Sequence, residues 1–259
     1  MLGSPAPSRN QSKKDNMRQV IVIPARMASS RLPGKAMIDI LGKPVIRHVW
    51  ERCAQVHPEG DIFVATEDEV IVEYCVANEM NCVNTGPAEC ATTRVQLLSE
   101  RVPAEAYLNI QGDEPLVNTQ DVRRLLDYNR NNPGRIVFGK TGCSENDFRD
   151  PSKAKVVCAP DGRLLFTSRA GIPLDIRGNF VTAERAIWLF AFYKNALDRY
   201  VEHRRYSKLD RIEQLDIIRF LELDIPVHCI DMIGDSWAVD EAKDVKIVEE
   251  RMKSAAKKG

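Results

Sequence analysis

Two arginines, a lysine and two serine hydroxyls crowd the run Ile23–Lys35, IPARMASSRLPGK. Fixed cations, hydroxyls and the backbone N–H groups of a Gly/Pro loop together suit a polyphosphate. A solvated basic loop is the plainer alternative, and a second motif downstream argues against it. Leu108–Pro115, LNIQGDEP, is an apolar strand pattern ending in acids. Gly112 permits a turn there, and Asp113 then projects from the strand's C-terminal edge. Such an aspartate suits Mg²⁺, which takes hard oxygen ligands, one or two of them carboxylates beside phosphate oxygens. An Asx-turn or helix cap is its other reading. A further carboxylate, Asp240, lies in SWAVDEAKD just ahead of a helical pattern. It is either a second metal ligand or that helix's N-cap.

These groups need a scaffold, and the apolar periodicity supplies one. Val20–Ile23, Asp61–Thr66, Cys82-Val83 and Ala106–Ile110 read as strands, while Val45–Gln55, Asp68–Asn78, Thr92–Ser99 and Asp121–Asn129 read as helices. The βαβα rhythm predicts an α/β fold with a mainly parallel sheet flanked by helices on both faces. Ile23–Lys35 and Gln111–Pro115 then lie at C-terminal strand ends, where such sheets bind ligands. The second half is less regular. Strands are predicted over Arg135–Lys140, Ala154–Cys158, Arg163–Phe166, Ile187–Tyr193 and Val227–Ile230, with a Pro160-Asp161-Gly162 hairpin turn. Helices are expected over Asp210–Glu222 and Asp240–Lys253. Inserted antiparallel strands would explain the change of rhythm. The expected organisation is a polar disordered leader over 1–17, one α/β domain over 18–253 with a smaller acceptor-binding and dimerisation region at about 135–225, and a tail over 254–259.

Composition narrows the partners. The 259 residues are 44% hydrophobic and 29% charged, with 37 basic and 37 acidic side chains in balance. No global field points to nucleic acid or a membrane. No apolar run approaches the roughly 20 residues of a membrane span. Seven cysteines are scattered without a CxxC pair, and the four histidines supply no zinc spacing. A cytoplasmic enzyme with reduced core cysteines fits best, and one reactive thiol stays open. The first strand leads to no GxGxxG, which argues against a dehydrogenase.

Taken together, these motifs resemble the sugar-activating cytidylyltransferases, most closely the 3-deoxy-manno-octulosonate cytidylyltransferases (CMP-Kdo synthetases). The family's IPAR-x-x-S-[ST]-R-L-PGK opening is met from Ile23 to Lys35, and its D-I-x-GKP-[ML]-I-x-HV-x-ER pattern between Asp39 and Arg52. Further matches are Val64-Ala65-Thr66 with Asp68-Glu69, Asn109–Pro115, Ser168–Pro173, Glu213-Gln214-Leu215 and Val239-Asp240. The resemblance implies a Rossmann-like nucleotidyltransferase in lipopolysaccharide biosynthesis. It would join CTP to a 2-keto-3-deoxy sugar acid, giving a CMP-sugar acid and pyrophosphate, with Mg²⁺, in a homodimer. On that carry-over, Arg26, Ser29, Arg31 and Lys35 hold the triphosphate beside Pro24 and Ala25. Thr85, Arg94 and Gln111 lie near the nucleotide, and Asp113 and Asp240 bind the metal. Arg26, Lys35, Asp113 and Asp240 form the catalytic set. Arg169, Glu213 and Gln214 face the sugar acid, with Arg169 on its carboxylate. Ala186 and Phe190 stand where the family has sugar-contacting polar groups.

Two segments depart from the pattern. Thr85–Arg94, TGPAECATTR, is one residue shorter than the family's segment and lacks its histidine and acid. Arg185–Tyr193, RAIWLFAFY, has Ala186 for a histidine, Trp188 for a glycine, and Phe190 and Phe192 for tyrosines. A site built to bond hydroxyls discriminates steeply against ligands lacking them, so lost donors change the acceptor. An amino, deoxy or less hydroxylated sugar acid is expected. Two other readings remain: a cytidylyltransferase of the spore-coat polysaccharide type, whose opening loop is like Ala25–Lys35, and a nucleotide-binding homologue without activity. Ile187–Phe192 is either a core strand or part of a dimer interface.

Overall fold

The β-branched run at the start of the pattern becomes the centre of a twisted sheet. The computed structural model describes residues 17–29, 31–203, 207–234 and 236–256, and the expected leader falls, except for Met17, outside them. The strands are β1 (Gln19–Pro24), β2 (Asp39–Ile40), β3 (Lys43–Pro44), β4 (Ile62–Thr66), β5 (Cys82–Asn84), β6 (Ala106–Ile110), β7 (Ile136–Gly142), β8 (Lys155–Cys158), β9 (Leu164–Ser168), β10 (Glu184–Phe192) and β11 (Val227–Asp231). The helices are α1 (Val45–Ala54), α2 (Glu69–Ala77), α3 (Ala91–Ser99), α4 (Thr119–Asn131), α5 (Glu145–Arg149), α6 (Lys194–Glu202), α7 (Leu209–Glu213), α8 (Ile217–Glu222) and α9 (Ala242–Ala256).

The main sheet runs β11-β7-β10-β6-β1-β4-β5. Its pairings are parallel except around β10, which lies antiparallel between β6 and β7. The expected α/β class holds, and the antiparallel insertion proves to be partly inside the sheet. Strands β8 and β9 extend it, through pairing of β8 with Glu184 and Arg185.

Both faces are covered because side chains alternate along each strand. Val20, Val22, Phe138, Phe190 and Phe192 pack with Val95, Leu98, Leu197 and Phe220 on one face. Ile21, Ile23, Leu108, Leu189 and Ala191 pack with Ile46, Val49, Ile71 and Leu125 on the other. Most of the segment Ile187–Phe192 is core: its four residues Leu189–Phe192 are at most 2% exposed, while Trp188 is partly exposed.

Helices α5 and α6 and the β2–β3 hairpin have no counterpart in the sequence reading. The single helix expected over Asp210–Glu222 is two, α7 and α8. Gln214 between them adopts the left-handed conformation (φ 52°, ψ 49°) and breaks the helical ladder. The cause is tertiary: Glu213 accepts hydrogen bonds from Ser168 Oγ at 2.7 Å and from the Arg169 N–H at 2.9 Å, pinning the turn to the end of β9.

Candidate active site

The cationic loop is fixed at several backbone points. Ala25 N–H donates to the Ala65 carbonyl at 2.9 Å, and Met27 N–H to the Asp68 carboxylate at 2.8 Å. Gly34 adopts φ 72° and closes the loop by donating to the Met27 carbonyl at 2.8 Å. Glycine is needed there, since positive φ is costly for other residues. Lys35 opens a short 3-10 turn facing the sheet's C-terminal edge.

Gly112 has a different role. A Cβ at this position would collide with the Pro24 carbonyl oxygen, so only glycine lets the loop after β6 lie against the end of β1. Arg52 on α1 holds the same loop, its Nε donating to the Pro115 carbonyl at 2.8 Å. Asp113 is thereby presented beside Lys35. Asp240 arrives from the far end of the chain, because Val239 packs with Ile40, Val45 and Val248 and its N–H donates to the Asp113 carbonyl at 2.8 Å. The capping role considered for Asp240 falls to Asp244, whose Oδ2 accepts from the N–H groups of Asp240 at 3.0 Å and Glu241 at 2.8 Å. Asp240's own carboxylate is left for the site.

Lys35 Nζ joins the two carboxylates. It bonds Asp113 Oδ2 directly and reaches Asp240 Oδ1 at 3.3 Å, and Arg31 pairs with Asp240 Oδ1 at 2.9 Å. Burial disfavours the Lys35 ammonium, but the charges and hydrogen bonds of Asp113 and Asp240 outweigh it and raise its pKa. The lysine is therefore a fixed cation at neutral pH.

A cavity of about 220 Å³ opens over this pair, lined by Pro24, Ala25, Arg26, Ser29, Arg31, Lys35, Arg94, Gln111 and Asp113 among others. Every residue expected to hold the nucleotide lines it except Thr85. Thr85 is 6% exposed and lies behind Arg94, accepting from its Nη1 at 2.9 Å. Glu67, which the sequence reading missed, pairs with Arg94 Nη2 at 2.9 Å. Arg94 is thus aimed by two partners, and Thr85 acts through it.

A second cavity of about 520 Å³ adjoins the first and shares Arg26, Cys90, Ala91, Gln111 and Asp113 with it. Of the residues assigned to the sugar acid, Phe190 and Gln214 line it. Arg169, Glu213 and Ala186 do not. Arg169 donates Nε to the Glu213 carbonyl at 2.8 Å and Nη2 to the Gln214 carbonyl at 3.2 Å, so its guanidinium clamps the α7–α8 turn. Ala186 is 6% exposed and sits in the core between β7 and β8. Asp210, Arg211, Asp216 and Arg219, which the sequence reading missed, also line this second cavity, together with Glu89, Glu114 and Trp188, which that reading noted within motifs without a site role. Asp210 and Arg219 form a buried pair at 2.7 Å, with the guanidinium 4.0 Å from the Tyr200 ring. Burial, with the Asp113 charge adding to it, pushes the Glu114 carboxyl up to about 7 despite the bond from Ser236 Oγ. Cys90 lines both cavities, and burial pushes its thiol up to about 12, so it is no nucleophile at neutral pH.

The donor set fits a hard divalent cation. An ammonium already bridges Asp113 and Asp240, and both present only carboxylate oxygen. Among the described residues no group of three or more His, Cys, Asp or Glu is placed to hold a metal. Two carboxylates suffice for Mg²⁺ when phosphate oxygens complete the shell. No described helix is long and apolar enough to cross a membrane.

Paired carboxylates, clustered cations and a cavity at the edge of an α/β sheet define a nucleotide-handling enzyme. A family model for cytidylyltransferases matches residues 20–232, and the chain belongs to that family. The 3-deoxy-manno-octulosonate cytidylyltransferase of Koribacter versatilis is 32% identical over 256 residues, 98% of this chain and 96% of the relative. The Escherichia coli protein of the same name is 33% identical over 227 residues, 86% of this chain and 91% of its own. A solved CMP:2-keto-3-deoxy-manno-octonic acid synthetase complexed with CTP superposes with a TM-score of 0.86 at 30% identity, covering 92% of this chain and 99% of that one. A 4-diphosphocytidyl-2C-methyl-D-erythritol synthase from Anaerococcus prevotii, at 14% identity and TM-score 0.60, shares the fold alone.

Proposed function

We propose that this enzyme transfers CMP from CTP to the anomeric hydroxyl of a 2-keto-3-deoxy sugar acid of the 3-deoxy-manno-octulosonate class, releasing pyrophosphate. The observation that carries this reading is the convergence of Lys35, Arg31, Asp113 and Asp240, from loops far apart in the chain, into one ion-paired cluster where the two adjoining cavities meet. The relative named 3-deoxy-manno-octulosonate cytidylyltransferase and the solved CMP:2-keto-3-deoxy-manno-octonic acid synthetase support the substrate class.

The protein's contribution is positioning and charge stabilisation. Arg26, Arg31 and Lys35 offset charge on the triphosphate and the departing pyrophosphate. The hydroxyl oxygen bonds the α-phosphorus as the bond to the bridging β-phosphate oxygen breaks, and the hydroxyl proton is released to solvent. Asp113 and Asp240 would hold Mg²⁺, which supplies charge neutralisation and acidifies the attacking hydroxyl. The sugar acid fills the second cavity, where Arg26, Arg211 and Arg219 offer positive charge for its carboxylate in place of Arg169. Retention of both aspartates weighs against an inactive homologue. A homodimer is part of the proposal, supported by the exposed apolar side chains of Leu174, Ile176 and Val181 between β9 and β10; sedimentation of the purified protein tests it. Pyrophosphate release from CTP, Mg²⁺ and 3-deoxy-manno-octulosonate or its analogues tests the activity. Release that depends on the sugar acid supports the reading, and none with any sugar acid overturns it.

A further inference from the structure

The two segments that depart from the family pattern meet at one place. Thr85–Arg94 contributes Glu89, Cys90 and Ala91 to the acceptor cavity, and Arg185–Tyr193 contributes Trp188 and Phe190. Arg185–Tyr193 faces the acceptor cavity alone, whereas Thr85–Arg94 borders both, giving Ala88, Cys90, Ala91 and Arg94 to the nucleotide cavity as well.

The chemistry of that wall is unusual for a polyol. Among the described residues lining the cavity there is no serine, threonine, tyrosine, asparagine or histidine; the neutral polar groups are the amides of Gln111 and Gln214, the Trp188 indole and the Cys90 thiol. Six carboxylates line the cavity, against the arginines Arg26, Arg211 and Arg219; with Asp113 and Asp240 assigned to the metal and Glu114 bonded by Ser236, the three left to face an acceptor are Glu89, Asp210 and Asp216. Asp210 is 6% exposed, and its Oδ1 has no hydrogen-bond partner although Oδ2 is paired with Arg219. A buried carboxylate oxygen without a donor is costly unless a ligand supplies one. Asp216 Oδ2 accepts from Thr92 Oγ1 at 3.0 Å, and Glu89 lies 4.0 Å from Arg219, with its side chain 48% exposed at the rim. Trp188 and Phe190 add aromatic surface. Aromatic faces and carboxylates share one preference, for a cation.

We propose that the acceptor is an aminated 2-keto-3-deoxy sugar acid, whose ammonium is received by Glu89, Asp210 and Asp216 beside Trp188. This rests on the activity proposed above and names its substrate class more narrowly. A neutral hydroxyl makes a weaker bond to the same carboxylates, since charge-assisted hydrogen bonds are roughly twice as strong as neutral ones.

The experiment measures pyrophosphate release with CTP and Mg²⁺ for two kinds of acceptor. One is 3-deoxy-manno-octulosonate; the other is a panel of analogues in which one hydroxyl at a time is replaced by an amine. At least one amine is expected to exceed the parent in kcat/KM by about tenfold or more. N-acetylation of that amine, which removes its charge, abolishes the preference. Glu89→Gln, a rim substitution that leaves the core intact, narrows the amine-to-parent ratio by about tenfold. A parent sugar used as well as every amine overturns this inference while the proposed activity stands. No release with any sugar acid, aminated or not, overturns both. A preference unchanged in Glu89→Gln and retained after N-acetylation overturns the charge recognition.

Discussion

The backbone N–H of Val239 donates to the carbonyl oxygen of Asp113 across 2.8 Å, joining two loops whose carboxylates lie far apart in the chain. Because the bond is between main-chain atoms, the spacing of Asp113 and Asp240 is set by backbone rather than by flexible side chains. Lys35 then serves both from a single position. Five consequences can be measured.

Lys35→Ala removes the cation that both aspartates share and that faces the triphosphate. Turnover is expected to fall about 10²–10³-fold, the scale for losing one charge-stabilising donor. Initial rates of pyrophosphate release check it, and an unchanged rate places Lys35 outside the reaction.

Asp113→Asn keeps shape but removes the negative charge that would hold a divalent ion. Turnover should disappear in this variant. In the unsubstituted enzyme a chelator should abolish it and added Mg²⁺ restore it; activity that survives chelation excludes the metal.

Gly112→Ala places a methyl against the Pro24 carbonyl and forces the two loops apart. Both stability and turnover should drop, the former by about 1–3 kcal/mol, as for overpacking at a tight contact. Thermal melting and rate assays on the same sample separate the two effects.

Arg169→Ala breaks the clamp on Gln214 without touching either cavity. The expected signature is a raised KM for the sugar acid with the KM for CTP little changed, and partial rescue by Arg169→Lys. A matched rise in both KM values would mean a general loss of structure instead.

His57 sits away from both cavities, with Nε2 donating to the Gln19 carbonyl at 2.7 Å. Burial holds its pKa below the usual 6.5, although the Gln19 carbonyl works the other way. The unfolded chain therefore takes up this proton first, and the stability it confers is present above about pH 6.5 and lost as acid is added. The melting temperature of the unsubstituted protein should fall more steeply below that pH than that of His57→Gln. Parallel slopes would remove His57 as a source of acid sensitivity.

The nucleotide side was legible in the sequence because its residues are contiguous. Ile23–Lys35 and Gln111–Asp113 are short loops after strands with strong apolar patterns, so placing the strands placed the chemistry. The acceptor side was not, for two physical reasons. Gln214 breaks a helical pattern through a tertiary bond from Glu213 to β9, which no local periodicity records. Arg169 and Glu213 match sugar-facing positions, yet in the fold they bond one another's backbone. Asp210 and Arg219 carry no motif at all. They are ordinary charged residues until the packing of α7 and α8 brings them to the same cavity.

The antiparallel course of β10 between β6 and β7 has an evolutionary corollary. Its odd positions Ile187, Leu189 and Ala191 belong to one core, while Trp188 and Phe190 border the acceptor. A lineage can retune what it activates by rewriting every second letter of this ribbon, and the machinery that grips the nucleotide inherits nothing of the change.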